Sequence, residues 1–355
     1  PADEMRYRCE RCGDALEAAY DYGEIRDRVS WSRLRQRPFR HARYREFLPD
    51  TGSGRVEMGV GGTPIVESRV LGDELGIDLR FKMESLNPTG SFKDRGTAVE
   101  LGVALAHGAE EVAVASTGNM GASVAAYAAR AGIDATIYIP ASTTGPKRTQ
   151  MERHGADIVA VDGDFDDAAD RAWQAWTEDG VHLLGDYAYR VEGEKTAGFE
   201  VADQVDADVV AAPVGNGTFI HAVWKSFTEL QEVGMLDDLP RMAGVQAAGC
   251  NTVVDALRKG TDDVAAVKAD TVAGAIACGD PLDGAGAVHA LRASDGLGEA
   301  VTDDEILAAK RVLAEREGIY AEPAGATAFA GIRERADDLQ GETVVCFVTG
   351  HGLKT

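Results

Sequence analysis

Short apolar runs alternate with alanine-rich amphipathic stretches along most of this chain. From about residue 110 onward, runs rich in β-branched residues predict strands, and the stretches 121–131 and 219–233 predict helices. This alternation indicates an α/β fold with parallel sheets covered by helices on both faces, which bind ligands at the carboxyl ends of their strands. The predicted strands are residues 112–115, 135–139, 157–161, 181–184, 208–214, 243–247 and 343–348.

The length of 355 residues suits two α/β domains better than one small core. Residues 1–55 look different from the rest, because they are rich in Arg and Tyr and have little periodicity. They contain a CxxC turn at Cys9 and Cys12, which is half of a zinc ribbon, whereas a closed zinc site needs four ligands. The remaining cysteines form no second CxxC, so we expect an unmetallated remnant and no bound metal.

Composition bears on the protein's partners and surroundings. The formal net charge is −23, and nine Lys stand beside 27 Arg among the 36 basic residues. A scattered acidic surface repels nucleic acid and anionic membranes and suits a protein adapted to high salt. No apolar run reaches the roughly 18 residues of a membrane helix, and the N-terminus does not resemble a signal peptide. Five cysteines do not make a disulfide framework, so we expect a cytoplasmic protein.

Residues 87–96 (NPTGSFKDRG) carry the strongest chemical signal. Two turn signals, Asn-Pro and Thr-Gly, precede a helical stretch, so the turn places Lys93 near a helix N-terminus. A cation is poorly placed there unless its charge is consumed by imine formation or balanced by an anion. We therefore treat Lys93 as a candidate Schiff-base lysine, although a lone lysine in a turn is ordinarily a surface residue.

Three further turns follow predicted strands. Residues 116–119 (STGN) offer hydroxyl and N–H groups to an anion, or simply cap a helix. Residues 214–218 (VGNGT) have glycines that would let the backbone approach a phosphate, but the spacing fits no nucleotide-binding motif, and a bare tight turn is the alternative. Residues 348–354 (VTGHGLK) place a hydroxyl at the end of the last strand, and residues 322–326 (EPAGA) precede a helix near the same cleft.

Together these motifs resemble those of the threonine synthases, which belong to the tryptophan-synthase-β-like (fold type II) enzymes that use pyridoxal 5'-phosphate (PLP). The likeness runs from about residue 61 to the C-terminus, and CERCGDALEAAYDY also resembles the second half of a zinc ribbon that opens many members. The resemblance implies two open parallel-sheet domains and a homodimer. The larger PLP-binding domain would comprise residues 56–94 plus 195–355 and the smaller, mobile one residues 95–194, after an N-terminal segment of residues 1–55.

The resemblance also implies a role for each matching residue. Lys93 would form the Schiff base with PLP, Asn119 would bind the phenolic oxygen of the cofactor, and Thr349 would face its pyridine nitrogen. The other cofactor-binding residues would be Phe92 and the phosphate loop Gly215, Asn216, Gly217, Thr218 and Phe219. The residues implied to bind substrate are Ser116, Thr117, Gly118 and Arg190.

The implied reaction converts O-phospho-L-homoserine and water to L-threonine and phosphate. Lys93 would move protons at Cα and Cβ, phosphate would leave from Cγ, and water would add to Cβ. A neutral hydroxyl such as that of Thr349 cannot keep the pyridine nitrogen protonated as a carboxylate would. The ring is then a moderate electron sink, which suits elimination and replacement.

Four positions depart from the family pattern: Met120, Leu184, Gly185 and Phe219 stand where polar residues are usual. Apolar side chains cannot replace the lost hydrogen bonds to a phosphate. Two alternatives therefore stay open. The chain could be a paralogue that catalyses β-elimination or β-replacement, such as a serine/threonine dehydratase or a cysteate- or cysteine-synthase-like enzyme. It could also be a non-catalytic ligand-sensing protein on the same fold, although the joint presence of Lys93, Asn119 and Thr349 opposes this.

Overall fold

The computed structural model describes residues 7, 9–11, 16–185 and 187–355. The strands are β1 (Ile65–Glu67), β2 (Asp78–Lys82), β3 (Glu111–Ala115), β4 (Asp134–Pro140), β5 (Asp157–Val161), β6 (His182–Leu183), β7 (Val209–Pro213), β8 (Arg241–Ala247), β9 (Leu297–Val301) and β10 (Thr343–Phe347). The α-helices are α1 (Tyr22–Arg28), α2 (Trp31–Leu34), α3 (Leu71–Leu75), α4 (Lys93–Ala106), α5 (Asn119–Ala131), α6 (Pro146–Arg153), α7 (Phe165–Asp179), α8 (Ala188–Glu194), α9 (Thr196–Gln204), α10 (Thr218–Glu232), α11 (Thr252–Lys259), α12 (Gly284–Ala293), α13 (Asp303–Val312) and α14 (Pro323–Glu334).

The strands form two sheets, which confirms the predicted α/β class. A six-stranded sheet has the order β1-β2-β10-β7-β8-β9, and a four-stranded sheet has the order β5-β4-β3-β6. All pairings are parallel except that of β1 with β2, which is antiparallel. Strands β1, β2 and β9 are not among those that the sequence predicts. Of these, β1 has only three residues, and β9 (LGEAV) lacks a run of β-branched residues, so neither carries a strong local signal.

The centre of the larger sheet is buried on both faces. Val209 and Ala211 of β7 pack into one apolar cluster beneath α14, and the alternating Val210 and Ala212 pack into another beneath α10 and α12. This two-sided burial explains why β7 is apolar throughout. Because β10 pairs with β7, the loops that follow these two strands emerge side by side at one edge of the sheet.

The smaller sheet lies in the stretch between α4 and α8. Its central strand β3 lies between β4 and β6, and α5 begins four residues after β3 ends. Helix α4 packs against both α5 and α8, and most of its residues are buried. The four-stranded sheet lies within residues 95–194 and the six-stranded sheet outside them, but the division into a mobile and a fixed domain stays a prediction.

Residues 25–47 of the N-terminal segment pack on the larger sheet's helices, whereas Tyr7 packs on the smaller sheet, where its hydroxyl accepts the N–H of Leu183 at 3.1 Å. Ile25, Leu34 and Phe47 form an apolar cluster with Phe199 of α9 and Leu230 of α10. The predicted CxxC turn falls partly outside the described residues, since these include Cys9 but not Cys12. Among the described residues, no group of three or more His, Cys, Asp or Glu side chains could hold a metal ion. In the same part of the chain, no helix is long and apolar enough to cross a membrane.

Candidate active site

A cavity of about 660 Å³ lies where the carboxyl ends of β3, β7 and β10 meet. Residues far apart in the sequence are brought together there, because both sheets direct their carboxyl ends toward it. The predicted site residues that line the cavity are Phe92, Lys93, Ser116, Thr117, Gly118, Asn119, Gly215, Asn216, Gly217, Thr218, Phe219 and Thr349.

Lys93 is the first residue of α4, as its turn signals predict. Its side chain is mostly buried, and its Nζ lies 3.3 Å from Glu194 Oε1 and 4.6 Å from the centre of the Phe92 ring. The backbone N–H of Phe92 donates to the carbonyl of Thr349 at 3.0 Å. The lysine turn is therefore fixed directly to the end of β10, and the amine is held at the cavity wall.

Asp94, the residue after the lysine, fixes the turn through buried hydrogen bonds. Asp94 is fully buried and accepts hydrogen bonds from Thr89 N (2.7 Å), Thr89 Oγ1 (2.6 Å) and Ser123 Oγ (2.6 Å). Burial raises the pKa of the Asp94 carboxyl above its ordinary value, although these hydrogen bonds act in the opposite direction. The carboxyl thus joins the turn to α5, which carries the next group of site residues.

Asn119 begins α5 and faces the cavity. Its Nδ2 donates to Glu322 Oε1 at 2.6 Å, and Glu322 Oε2 lies 2.8 Å from Lys147 Nζ. This pair of contacts leaves the second N–H of the Asn119 amide for another acceptor. The Ser116 hydroxyl accepts the N–H of Gly121 at 2.9 Å, so part of the STGN turn serves as a helix cap.

The glycine loop links β7 to α10. Gly217 has a φ of +89°, and a Cβ built on it would lie 2.3 Å from the backbone oxygen of Asp283, so only glycine fits here. Helix α10 begins at the next residue, Thr218, and its first N–H groups are available to an anion. This geometry is the one that the glycine spacing predicts for a phosphate site.

An aromatic contact closes the space between the lysine turn and the glycine loop. The ring of Phe219 lies 4.2 Å from that of Phe92 and 4.9 Å from that of Phe347, between ring centres. Thr349 follows β10 and is almost fully buried at the cavity. The apolar side chain at 219, which departs from the family pattern, thus packs the wall and leaves its backbone N–H at the helix start.

Comparisons with known proteins agree with this arrangement. Residues 56–350 match the sequence pattern of the pyridoxal-phosphate dependent enzymes. The chain belongs to this family. It is 43% identical to a threonine synthase of Methanocaldococcus jannaschii, over 99% of this chain and 89% of the relative. A threonine synthase of Mycobacterium tuberculosis is 42% identical, over 88% of each chain. A solved threonine deaminase from Solanum lycopersicum has a TM-score of 0.71 at 22% identity, over 95% of this chain and 92% of that one, which shows the fold alone.

The cavity of this pyridoxal-phosphate dependent enzyme fits its cofactor. Two atoms of cavity-lining residues, Asn119 Oδ1 and Thr218 Oγ1, are buried and have no hydrogen-bond partner among the described residues. Buried polar atoms of this kind are rare unless a ligand or water satisfies them. The steric cradle at Gly217 and the helix start beside it suit a phosphate. Lys93 would hold the aldehyde end, and Thr349 would face the ring from the end of β10.

Arg190 is the one predicted site residue that does not line the cavity. Its guanidinium is completely buried between α4 and α8, where it contacts Glu100 Oε2 and donates to the carbonyl of Gly185 at 2.9 Å. It also lies 3.5 Å from Glu194 Oε1. The prediction that Arg190 binds the substrate phosphate has no support in this geometry, because packing of the two helices turns the side chain inward.

Of the positions that depart from the family pattern, some line the cavity and others do not. Met120 lines the cavity with an apolar side chain, as its sequence position suggests. Leu184 is buried in the core of the smaller sheet, and Gly185 donates its N–H to Glu100 Oε1 at 3.0 Å. Leu184 and Gly185 therefore support the Arg190 ion pair and the sheet, and neither lines the cavity.

A partly buried cluster of charged residues beside the phosphate loop is not among the features that the sequence predicts. His221, in the first turn of α10, lies 2.7 Å from Asp283 Oδ2 through Nδ1 and 3.1 Å from Glu17 Oε1 through Nε2. Lys225, one turn further, lies 2.9 Å from Glu17 Oε2. We call these four residues the histidine clasp. No local motif could have revealed it, because its members come from three distant segments.

The histidine clasp predicts a pH dependence of stability. Burial opposes a charge on His221, but its hydrogen bonds to Asp283 and Glu17 raise its pKa to about 10, from about 6.5 in an unfolded chain. The stabilisation from its proton is complete below about pH 6.5 and is lost as pH rises toward about 10. Glu17 and Asp283 are the carboxylates that face it, and Lys225 contacts the other oxygen of Glu17. We expect thermal unfolding midpoints of the protein and of His221→Gln to converge between about pH 7 and pH 10.5. A constant gap across this range would contradict the assignment.

Replacing Gly217 with alanine should weaken PLP binding. The positive φ and the 2.3 Å approach to a backbone oxygen force the loop to move, at a cost of about 1–3 kcal/mol, or roughly 5- to 150-fold in affinity. Spectroscopic titration of the cofactor-free protein with PLP measures this. Gly234→Ala is the matched control, since Gly234 ends the same helix region with a φ of +73° and would place its Cβ in open space. Equal losses of PLP affinity in both variants would show that backbone strain at a positive φ, and not the close fit of the glycine loop at Gly217, weakens PLP binding.

Proposed function

We propose that this chain is a threonine synthase that converts O-phospho-L-homoserine and water to L-threonine and phosphate. The observation that carries the proposal is its 43% identity to a protein named threonine synthase over 99% of the chain. The geometry supports it, because Lys93, Asn119, Thr349 and the glycine loop of residues 215–219 face one cavity. These are the residues that the sequence motifs single out for this chemistry.

Each of the site residues has a distinct role in the proposed reaction. The N–H groups at the start of α10 would bind the cofactor phosphate, and Asn119 would orient the ring through its free N–H. Phe92 and Phe219 exclude water from the space between lysine and loop. When bound, the cofactor supplies an electron sink for negative charge at the carbon that bears the amino group. Lys93 Nζ would accept and return the protons that leave and join the substrate carbons.

A second candidate has a specific observation in its favour. Met120 offers no hydrogen bond at the cavity, and Arg190 is committed to carboxylates beneath it, so the wall lacks the polar side chain that is usual at position 120 and the expected arginine contact to a substrate phosphate. An enzyme that eliminates water from serine or threonine, or replaces a β-substituent, needs fewer such contacts. We therefore keep a β-eliminating or β-replacing enzyme of the same family as the alternative.

A direct assay separates the two candidates. Purified protein with PLP in multimolar KCl would be offered O-phosphohomoserine, O-phosphoserine, serine and threonine in turn. Release of phosphate together with threonine from O-phosphohomoserine would support threonine synthase. A bound PLP spectrum with no turnover of O-phosphohomoserine, and formation of a keto acid from serine or threonine, would overturn that proposal in favour of the alternative.

The finer properties of the enzyme are also proposals. The net charge of −23 and the scarcity of lysine support adaptation to high salt, because a carboxylate-rich surface stays hydrated there. A homodimer and a cytoplasmic location rest on the family resemblance and on the cysteine content. Activity that increases between about 0.1 M and 2 M KCl, measured with the phosphate assay, would support salt adaptation.

A further inference from the structure

We propose that Glu17, His221 and Asp283 are positioning residues for the cofactor phosphate, through which the N-terminal segment controls how tightly PLP is held. The inference uses the family membership and the predicted role of the phosphate loop. It does not depend on which substrate the enzyme takes.

The connection to the loop runs through Asp283. Its backbone N–H donates to the carbonyl of Asn216 at 2.9 Å, and its own carbonyl is the oxygen against which Gly217 packs. Two consecutive residues of the phosphate loop therefore lie directly on Asp283. A shift of Asp283 by a few tenths of an ångström would be transmitted to the N–H groups at the start of α10, because its N–H is bonded to Asn216 and no Cβ would fit between Gly217 and its carbonyl oxygen.

The position of Asp283 is in turn set by His221. Asp283 Oδ2 lies 2.7 Å from His221 Nδ1 in a nearly solvent-free position. Gly286 makes room for the pair, since a Cβ there would lie 2.2 Å from Asp283 Oδ1 and 2.6 Å from His221 Nδ1. The histidine bridges the first turn of α10 and the residue that precedes α12, so it fixes the two walls of the loop relative to each other.

Glu17 completes the arrangement from outside the two sheets. Its two carboxylate oxygens contact His221 Nε2 at 3.1 Å and Lys225 Nζ at 2.9 Å, and Lys225 also donates to the carbonyl of Ala18 at 2.9 Å. Hydrogen bonding to His221 keeps the pKa of Glu17 well below its ordinary range, so this carboxylate is charged at neutral pH. A charged acceptor on Nε2 keeps a proton on both ring nitrogens, which lets Nδ1 donate to Asp283.

The charges of the histidine clasp keep His221 protonated near the expected phosphate site. A cation in the first turn of a helix is ordinarily unfavourable, because the helix N-terminus is itself positive. Here the imidazolium lies between two carboxylates, which offset that cost and keep it protonated beside the helix end that is expected to bind the phosphate. Loss of either carboxylate would remove one of the two contacts that fix the His221 ring. The phosphate loop, which lies against Asp283, would then be held less firmly.

The test measures cofactor affinity in the full chain. Dissociation constants for PLP and for pyridoxal, which lacks the phosphate, would be determined by absorbance titration of the cofactor-free protein at fixed KCl. We expect Glu17→Gln to raise the constant for PLP about fivefold and His221→Gln about tenfold or more, in the usual range for coupling between neighbouring sites. The constant for pyridoxal should change by less than about twofold, because the clasp acts on the phosphate loop.

Two controls keep the test decisive. Glu24→Gln removes an exposed carboxylate from the same N-terminal segment, where it pairs with Arg28 at the surface, and should leave both constants unchanged. If His221→Gln does not fold, Glu17→Gln still decides, since Glu17 is about half exposed. Unchanged PLP affinity in Glu17→Gln, or equal losses for PLP and pyridoxal, would overturn the proposal. Failure of Gly217→Ala to weaken PLP would instead reject the loop as the phosphate site.

Discussion

Threonine formation should fall at least about a thousandfold when Lys93 is replaced with alanine. The amine is held at the cavity wall between Phe92 and Glu194, so its removal takes away both the expected cofactor attachment and the expected proton acceptor. Proton transfer by a placed side chain alone contributes about 10²- to 10⁴-fold. The measurement is threonine and phosphate released from O-phosphohomoserine per unit of folded protein.

The matched control for this variant is Lys259→Ala. Lys259 ends α11 on the exposed surface, so its loss changes the net charge equally and should leave the rate within about twofold. A Lys93→Ala protein that kept more than about a tenth of the activity would show that another group moves the protons. The loss of the bound-cofactor absorbance band in Lys93→Ala would provide a second readout, independent of the substrate.

Replacing Arg190 with methionine should lower the free energy of unfolding by about 3–5 kcal/mol. Both partners of the pair with Glu100 are buried, and Glu194 lies 3.5 Å away, so the change leaves carboxylates without their cation in a dry environment. Chemical denaturation followed by fluorescence measures the loss. Arg258→Met is the control, because Arg258 is about half exposed and its 3.4 Å pair with Glu299 should contribute less than about 1 kcal/mol.

The same position also tests the role that the family resemblance implies. Arg190→Lys keeps the charge but loses the planar pair of donors that contacts Glu100 and the Gly185 carbonyl. If the side chain is structural, this variant loses stability and keeps its KM for O-phosphohomoserine. A large rise in KM at unchanged stability would show that Arg190 reaches the substrate after all, which would require a rearrangement of α4 and α8.

Much of the site could be read from local sequence, because its parts are strand–turn–helix units. Each such unit has its own signature: the turn signals before Lys93, the STGN cap before α5, and the glycine at position 217, where the chain adopts a positive φ before α10. Strand–helix alternation predicted the two parallel sheets, and the rule that ligands bind at carboxyl ends predicted that these turns would meet. The structure and the comparisons confirm the α/β fold and the family.

The other features of the site depend on contacts between residues that are far apart in the sequence, and such contacts leave no local sequence pattern. Arg190 lies in a motif that matches the family, yet the packing of α8 on α4 decides that its side chain points to Glu100, 90 residues away in sequence. The partner of Asn119 is Glu322, 203 residues away. A single side chain's type says that it can form such a bond, but not with which residue.

The amino-acid sequence by itself therefore determined the turns that carry Lys93, Asn119, Gly217 and Thr349, and the strands before the last three of them, since backbone conformation and helix capping act over a few residues. Only the tertiary structure decided which buried charges meet. It joined His221 to Glu17, 204 residues away, and to Asp283, 62 residues away, and it withdrew Arg190 from the cavity. The physical reason is that a buried charge must find its counter-charge wherever the packing of sheets and helices places one.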